Sequence, residues 1–384
     1  MRETVGDIDI LVAAKESEAI MKAFVEQEAV ARVLGQGQTK SSVEFHNGVR
    51  AQIWVHPPEK FGTALQYATG SKDHNVKLRE LALSQGLSLS EHALTKEDGS
   101  ELLFAKEEAL YEKLGLPWIA PELREDRGEV EAAKGGALPE LITLANIQME
   151  LHTHSTWSDG KASILEMAQE AIRRGYKVLA VTDHSASLGI ANGLNVARLR
   201  KKKAEMDEVQ TQLGDSIRLL HGTEMEIKAD GTLDYPDDVL AELDIVIASL
   251  HVSMRQPREQ VTERMLTAIN NPHVDIIAHP TNRLIPDRGG ADLDMDAILG
   301  AALETDTALE INANPRRLDL ADIYARRAVE MGIKLTINTD AHVPAQMDFM
   351  NYGVATARRG WVQAEHVINC WEVDKLLAWL QGRG

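Results

Sequence analysis

From residue 147 onward the chain repeats one unit about seven times: a short apolar run, a polar loop, then an amphipathic helical stretch. The runs QMEL, YKVLAVT, IRLLHG, LDIVIASL, VDIIA, ALEIN and KLTIN are β-branched or Leu-rich and bounded by turn residues, so they read as strands. Between them SILEMAQEAIRRG, PREQVTERMLTAINN and DIYARRAVEMG read as helices, the last two ending in Asn or Gly as helix C-termini often do. Strands alternating with helices build a parallel sheet, because each helix carries the chain back to begin the next strand in the same direction. Seven or more such units in one domain point to closure into a barrel.

The residues after each strand carry the chemistry. QMEL leads into His152, His154 and Asp159; YKVLAVT into Asp183 and His184; IRLLHG is followed by Glu224; LDIVIASL ends at His251, VDIIA at His279, and KLTIN runs into Asp340 and His342. Parallel barrel strands all point one way, so side chains at their carboxyl ends meet at one mouth. With 13 histidines in 384 residues, one falls within three residues of a given strand end by chance about one time in ten, so five strands of seven is not coincidence. His221, His273 and His366 lie outside this pattern and read as packing or surface residues. Imidazole and carboxylate donors without a thiolate suit zinc, manganese or iron, and nine donors are too many for one ion. Several cations held close together favour phosphoester hydrolysis, since they polarise a phosphoryl oxygen, deprotonate water and stabilise a leaving alkoxide. Arg283, Arg288 and Arg317, in the loops after the fifth and sixth strands, are candidate phosphate contacts.

Composition narrows the partners. A formal net charge of -18 argues against a broad basic surface gripping nucleic acid through many phosphates, though it leaves local contacts open. No apolar run approaches the roughly 18 residues that a membrane span needs. The first twenty residues already hold Asp7, Asp9 and Glu16, so neither signal peptide nor anchor is expected and the chain reads as cytoplasmic. The lone Cys370 fits a reducing compartment.

The stretches ELHTHSTWSDG, AVTDHS, GTEMEI, SLH, AHPTNRL, EINANPRRLDL and NTDAH resemble the PHP (polymerase and histidinol phosphatase) domain over residues 147–384. The resemblance implies a distorted (β/α)7 barrel with three divalent metals, manganese or zinc, with iron as a further option. It assigns the first metal to His152, His154, Glu224 and Asp340, the second to a bridging Glu224 with His251 and His279, and the third to Asp159, His184 and His342. Glu224, Asp340 and His342 are the implied catalytic residues there.

Residues 1–122 alternate strands and helices irregularly, as a smaller α+β module: IDILVA reads as a strand, SEAIMKAFVEQE as a helix, and SVEFHNGVRAQIWVHP as a hairpin turning at Asn47 and Gly48. Residues 123–146 are charged, then Gly-rich, and read as a linker. Asp7 and Asp9, two apart on a strand, project from one face, as a two-metal nucleotidyltransferase requires. ALQYATGSKDHNVKLRELALSQGL resembles the nucleotide-binding stretch of family X DNA polymerases, which implies a palm/thumb-like module in which Tyr67, Gly70 and Ser71 border the nucleotide. The order of modules is similar to that of the bacterial PolX family.

Departures from that family pattern matter. Gln52 stands where the third catalytic aspartate is expected, and a neutral amide replaces neither its ligation nor its proton affinity. Ala68 stands where a Phe usually lies beside the Tyr, and the chain begins almost at the aspartate pair, so it looks like a shortened PolX. The expectation is a 3'-5' exonuclease or repair-type DNA phosphodiesterase acting on single strands or 3' ends. Its polymerase module is degenerate, with magnesium or manganese the cation suited to Asp7 and Asp9. The alternatives are a small-molecule phosphatase like the histidinol phosphatases and a non-catalytic DNA-binding scaffold.

Overall fold

Alternating residues in RAQIWVH give a strand that buries one face, Ala51, Ile53 and Val55, whereas DIDILVA alternates in the same way but leaves Ile8 and Ile10 exposed. The computed structural model describes residues 3–382, divided into two units, Met1–Leu138 and Pro139–Gly384. The first unit opens with β1 (Asp7–Ala13), α1 (Glu18–Val25), β2 (Val30–Gln36), β3 (Lys40–Phe45) and β4 (Arg50–His56). The sheet order is β1-β4-β3-β2. The pairs are antiparallel except β1 with β4, which sets Asp7 opposite Arg50 and Asp9 opposite Gln52. The hairpin turns at Asn47 and Gly48, where Gly48 takes φ +81°, a conformation glycine enters without a Cβ clash. Met21 and Phe24 of α1 cover Val43, Ala51, Ile53 and Val55 of the sheet. Helices α2 (Phe61–Thr69) and α3 (Lys72–Ser84) follow, then a small antiparallel sheet of β5 (Leu87–Leu89), β6 (Leu94–Lys96) and β7 (Glu101–Leu102), then α4 (Glu107–Lys113).

The stretch 123–146, expected as a linker, is folded over its first half. Its helix α5 (Glu129–Lys134) buries Glu129, Val130 and Ala133. Glu129 Oε1 lies 2.7 Å from His74 Nδ1, and fully buried Arg124 pairs with Glu107 at 2.7 Å. The first unit thus extends to Leu138 and not merely to residue 122. Charge density points to a linker only until two of those charges, Arg124 and Glu129, are seen buried against partners.

The second unit alternates β8 (Met149–Thr153), α6 (Ile164–Arg173), β9 (Val178–Val181), α7 (Val196–Leu213), β10 (Arg218–Glu226), β11 (Ile245–Ser249), β12 (Ile276–Ile277), β13 (Ala308–Asn312) and β14 (Leu335–Asn338), with further helices between the later strands. All neighbours are parallel, in the order β14-β13-β12-β11-β10-β9-β8. The barrel nearly closes, since a parallel bridge joins Thr153 to Ala341 and the His154 amide donates to the Ala341 carbonyl at 2.9 Å. Helix α6 shows why the helices form: Ser163 and Glu166 make a capping box at its start, and Ile164, Met167, Ala168 and Ala171 make one buried stripe.

Alternation along each strand separates two apolar layers. Leu219, Val246, Ala248, Ile277, Leu309 and Ile311 join the large cluster formed with the helices. Leu220, Ile245, Ile247, Ile276 and Ala308 form the other, with Trp371 and Leu376 from the end of the chain. On β10 the face that begins at Leu220 continues to Glu224 and Glu226, so the barrel lumen turns from apolar to acidic along one strand. Gly222 lies between them, where a Cβ would come within 2.7 Å of the Ile245 side chain and carbonyl. Only glycine lets β10 lie that close to β11.

Candidate metal centre

All nine expected donors gather at the carboxyl end of the barrel. Three groups of donor atoms, each within 4.8 Å of one another, are His152, His154, Glu224 and Asp340; His184, Glu224 and His251; and His154, Asp159, His184 and His342. In the first group His154 Nε2 lies 3.0 Å from Asp340 Oδ1 and 3.4 Å from Glu224 Oε2, and His152 Nε2 lies 3.4 and 3.6 Å from Glu224 Oε2 and Asp340 Oδ1. Four ligands bonded at about 2.1 Å around a tetrahedron stand about 3.4 Å apart, so this group has the dimensions of a cation site. Glu224 bridges: Oε2 faces His152, His154 and, at 3.0 Å, His184, while Oε1 lies 2.8 Å from His279 and 3.3 Å from His251. Asp159 Oδ1 lies 3.3 Å from His342 and 3.7 Å from His184.

A test of fit comes from polar atoms that the protein itself leaves unsatisfied. His154 Nδ1 and His279 Nδ1 are buried with no hydrogen-bond partner, and His184 Nδ1, Glu224 Oε2 and Asp340 Oδ1, though they have neighbours at 3.0 Å, make no hydrogen bond of acceptable geometry. Orphaned buried donors and acceptors are costly, at about 1–3 kcal/mol each, and Glu224 Oε2 and Asp340 Oδ1 point into the first group. The donor set therefore fits divalent cations. The strand positions differ slightly from expectation, since β10 continues through Glu224 to Glu226 and β12 is only two residues long. His279 and Asp340 take φ +26° and +53°, a left-handed backbone held at two of the donor positions.

Behind the donors lies a shell that sequence reasoning missed. Glu310, on β13, accepts from His152 Nδ1 at 2.7 Å and from the His279 amide at 2.8 Å. Glu226 accepts from His251 Nδ1 at 2.7 Å. A carboxylate on Nδ1 fixes the tautomer and leaves the Nε2 lone pair to face the cluster. Asp183 accepts from the Ser155 amide and hydroxyl at 2.8 and 2.9 Å and from the Ser158 hydroxyl at 2.7 Å, and fully buried Lys202 of α7 lies 3.3 Å from it. Gly160 holds the Asp159 loop close, where a Cβ would come within 2.7 Å of the His154 and Ser155 backbone. The available signal was a charged residue amid an otherwise apolar strand, as in ALEIN and GTEMEI.

Electrostatics follow from this crowding. Burial is the largest influence on Glu224 and disfavours its charge, but His184, His251 and His152 outweigh it and hold the carboxyl well below its ordinary value. Asp340 behaves likewise through His152 and His154. Burial, then repulsion from His342 and His184, pulls His154 down to about 4. Burial also pulls on His251 and His342, but their carboxylate neighbours reverse it and raise each to about 9. Asp159 and His342, with side chains 34% and 28% exposed, mark the open edge, whereas Glu224 is 1% exposed.

The three expected phosphate contacts are placed differently from one another. Arg317 Nε lies 3.6 Å from Asp340 Oδ2. Arg288 donates to the Asn282 carbonyl at 2.8 Å. Arg283 donates to the carbonyls of Arg317 and Leu318, bracing the loop that carries Arg317. Among the three remaining histidines of this unit, His221 is buried in packing and pulled down to about 3, chiefly by burial.

In the first unit, a cavity of 780 Å³ is lined by Asp7, Asp9, Gln52, Tyr67, Ala68, Gly70 and Ser71, among others. It thus collects every residue expected around a nucleotide. Gln52 Nε2 lies 3.4 Å from Asp7 Oδ2, and burial, then Asp7, raises Asp9. No group of three His, Cys, Asp or Glu donors occurs there among the described residues. No helix is long and apolar enough to cross a membrane among the described residues.

Residues 64–125 match the DNA polymerase beta thumb family and residues 150–314 the PHP domain family. DNA polymerase/3'-5' exonuclease PolX of Bacillus subtilis is 44% identical over 383 residues, covering 99% of this chain and 67% of that protein. A protein of Caldanaerobacter subterraneus named "Probable phosphatase" is 32% identical over 245 residues, 61% of this chain and 91% of that protein. Among solved structures, a histidinol phosphate phosphatase of Lactococcus lactis is 19% identical with a TM-score of 0.42, covering 55% of this chain and 93% of that one.

Proposed function

The chain belongs to the PolX family, and from that premise we propose that it hydrolyses DNA phosphodiesters at its metal centre, trimming single strands or 3' ends, beside a polymerase module that is degenerate for synthesis. The observation that carries this reading is Glu224, whose two oxygens face five histidines from opposite sides in a buried site with unsatisfied atoms.

His152, His154, Glu224 and Asp340 would hold one divalent cation, Glu224 with His251 and His279 a second, and Asp159, His184 and His342 a third. Manganese or zinc suits this mixed nitrogen and oxygen donor set, with iron also compatible. Cations bound there would polarise the phosphoryl group, supply hydroxide near neutral pH and stabilise the leaving oxygen. The protein's own part is orientation. Glu310 and Glu226 fix the rings of His152 and His251, Glu224 keeps the clusters at one spacing, and Asp340 stays ionised because His152 and His154 outweigh its burial. Arg317, beside Asp340, would neutralise a non-bridging phosphate oxygen, with Arg288 next to it.

In the first unit, Asp7 and Asp9 with Gln52 in register supply two carboxylates where a two-metal transfer uses three. Magnesium or manganese at Asp7 and Asp9 would be weakly held, and synthesis should be lost. The second reading, a phosphatase for a small monoester, draws on the likeness to the protein named "Probable phosphatase". Labelled single-stranded DNA and histidinol phosphate, each with and without manganese, separate the two. Shortening of DNA only with metal supports the proposal, and turnover of histidinol phosphate alone overturns it.

A further inference from the structure

A cavity of 680 Å³ leads away from His251, lined by Ser253, Met254, Arg255, Asp287, Arg288, Gly289 and Gly290. Its size is within the range that takes a nucleotide-sized ligand. Arg255 and Arg288 line it, and Arg317 lies beside Arg288, between it and the metal donors. Arg317 is nearest, 3.6 Å from Asp340 and close enough to His279 to help lower its pKa after burial. Arg317 Nη1 and Arg288 Nη2 then share a single acceptor, the side-chain oxygen of buried Asn282, with Arg288 at 3.4 Å from it. Arg255, on the facing loop, completes the row.

The outer two of these charges are not neutralised from within. Neither Arg255 nor Arg288 meets a carboxylate within ion-pair distance among the described residues, and Asp287, on the same wall, is engaged by Arg316 at 2.5 Å. Arg288 is pulled below its ordinary pKa first by partial burial and then by repulsion from Arg317 and Arg255. In a chain of net charge -18, two guanidiniums on this wall with a third next to them are held together against repulsion, an arrangement that an anion relieves. A row extending outward past Arg288 to exposed Arg255 matches an anion that repeats along its length.

We infer that Arg255 and Arg288 form a second phosphate subsite, which takes the phosphodiester neighbouring the scissile one, so that the preferred substrate is a polynucleotide strand and not an isolated phosphate ester. This rests on the nuclease reading above. The subsite adds binding energy without contributing to bond cleavage, so its effect falls mainly on KM.

The test compares Arg255→Ala, Arg255→Lys and the unaltered chain, loaded with manganese, on a single-stranded oligonucleotide and on bis(p-nitrophenyl) phosphate, which has one phosphate and no neighbour. Arg255 is exposed, so folding is not at issue. Arg255→Ala should raise KM for the oligonucleotide about tenfold and flatten the dependence of log(kcat/KM) on log[salt] by about 0.7. The loss on the small diester should be at least fivefold smaller, and Arg255→Lys should keep the salt slope. Equal losses on both substrates, or an unchanged oligonucleotide KM and slope, would overturn the subsite. Hydrolysis of the small diester with none of the oligonucleotide by the unaltered chain would instead overturn the nuclease reading, and the subsite with it.

Discussion

Replacing Lys202 by Met should destabilise the barrel and loosen the third group of metal donors, Asp159, His184 and His342. Lys202 Nζ is fully buried, 2.9 Å from the carbonyls of Val181 and Gly222 and 3.3 Å from Asp183 Oδ2. Burial disfavours the charge of Asp183, but Lys202 is the strongest of the influences that outweigh it and hold the carboxyl below its ordinary value. Methionine fills most of the volume but removes the charge, and breaking a buried pair from one side costs about 3–5 kcal/mol. Asp183 keeps its donors from Ser155 and Ser158, so the lower end, about 3 kcal/mol, is the better figure. For a domain of this size that is a fall in Tm of about 6–12 °C. Because Asp183 ties down the residues beside His154 and Asp159 and precedes His184, the third cluster should loosen as well. Thermal melts and metal counts on purified protein read the two effects separately. In a double-mutant cycle, Asp183→Asn with Lys202→Met should cost at least about 1.5 kcal/mol less than the sum of the single changes. A Tm within 2 °C of the parent with all metals retained would refute the reasoning.

Other expectations bear on the donors and on the first unit. Glu224→Gln keeps the shape but removes the charge that two clusters share, so hydrolysis should fall at least about a hundredfold; an unchanged rate would dismiss the bridging role. Gln52→Asp restores a third carboxylate opposite Asp9, so manganese binding to the first unit should tighten without efficient primer extension. Robust extension by the unaltered chain would count against degeneracy. In metal-free protein the ion pairs of His251 and His342, raised to about 9, stabilise fully below about 6.5, the unfolded value, and that contribution is lost as pH rises through 9. Metal-free Tm should therefore decline between pH 6.5 and 9, whereas metal-loaded protein should not. Burial pulls His152 down, but its carboxylate neighbours likewise raise it well above its ordinary value, so loading at pH 7 should release about three protons, and calorimetry that gave the same heat in buffers of different ionisation enthalpy would contradict this.

What could be read from the sequence, and what could not, divides along a physical line. His152, His251 and Asp340 are near strand ends, and parallel topology maps strand ends onto one rim, so a one-dimensional pattern suffices to bring them together. Glu310 sits within a buried strand, 158 residues from the ring that it orients, and Lys202 looks like any other charge in the basic run RLRKKK. Their roles depend on which face of a strand or helix is packed against what, and that is settled only by the assembled barrel. Residues 123–134 failed for the same reason, since Arg124 and Glu129 read as solvated charges until their partners on other helices are known. The two sites also differ in how their donors are spread. The barrel draws its donors from six strands and the loops that follow them, whereas in the first unit Asp7 and Asp9 stand on one strand with Gln52 on its neighbour. On the reading proposed above, the neutral side chain of Gln52, directly opposite Asp9, would leave the cavity that they line short of one metal ligand.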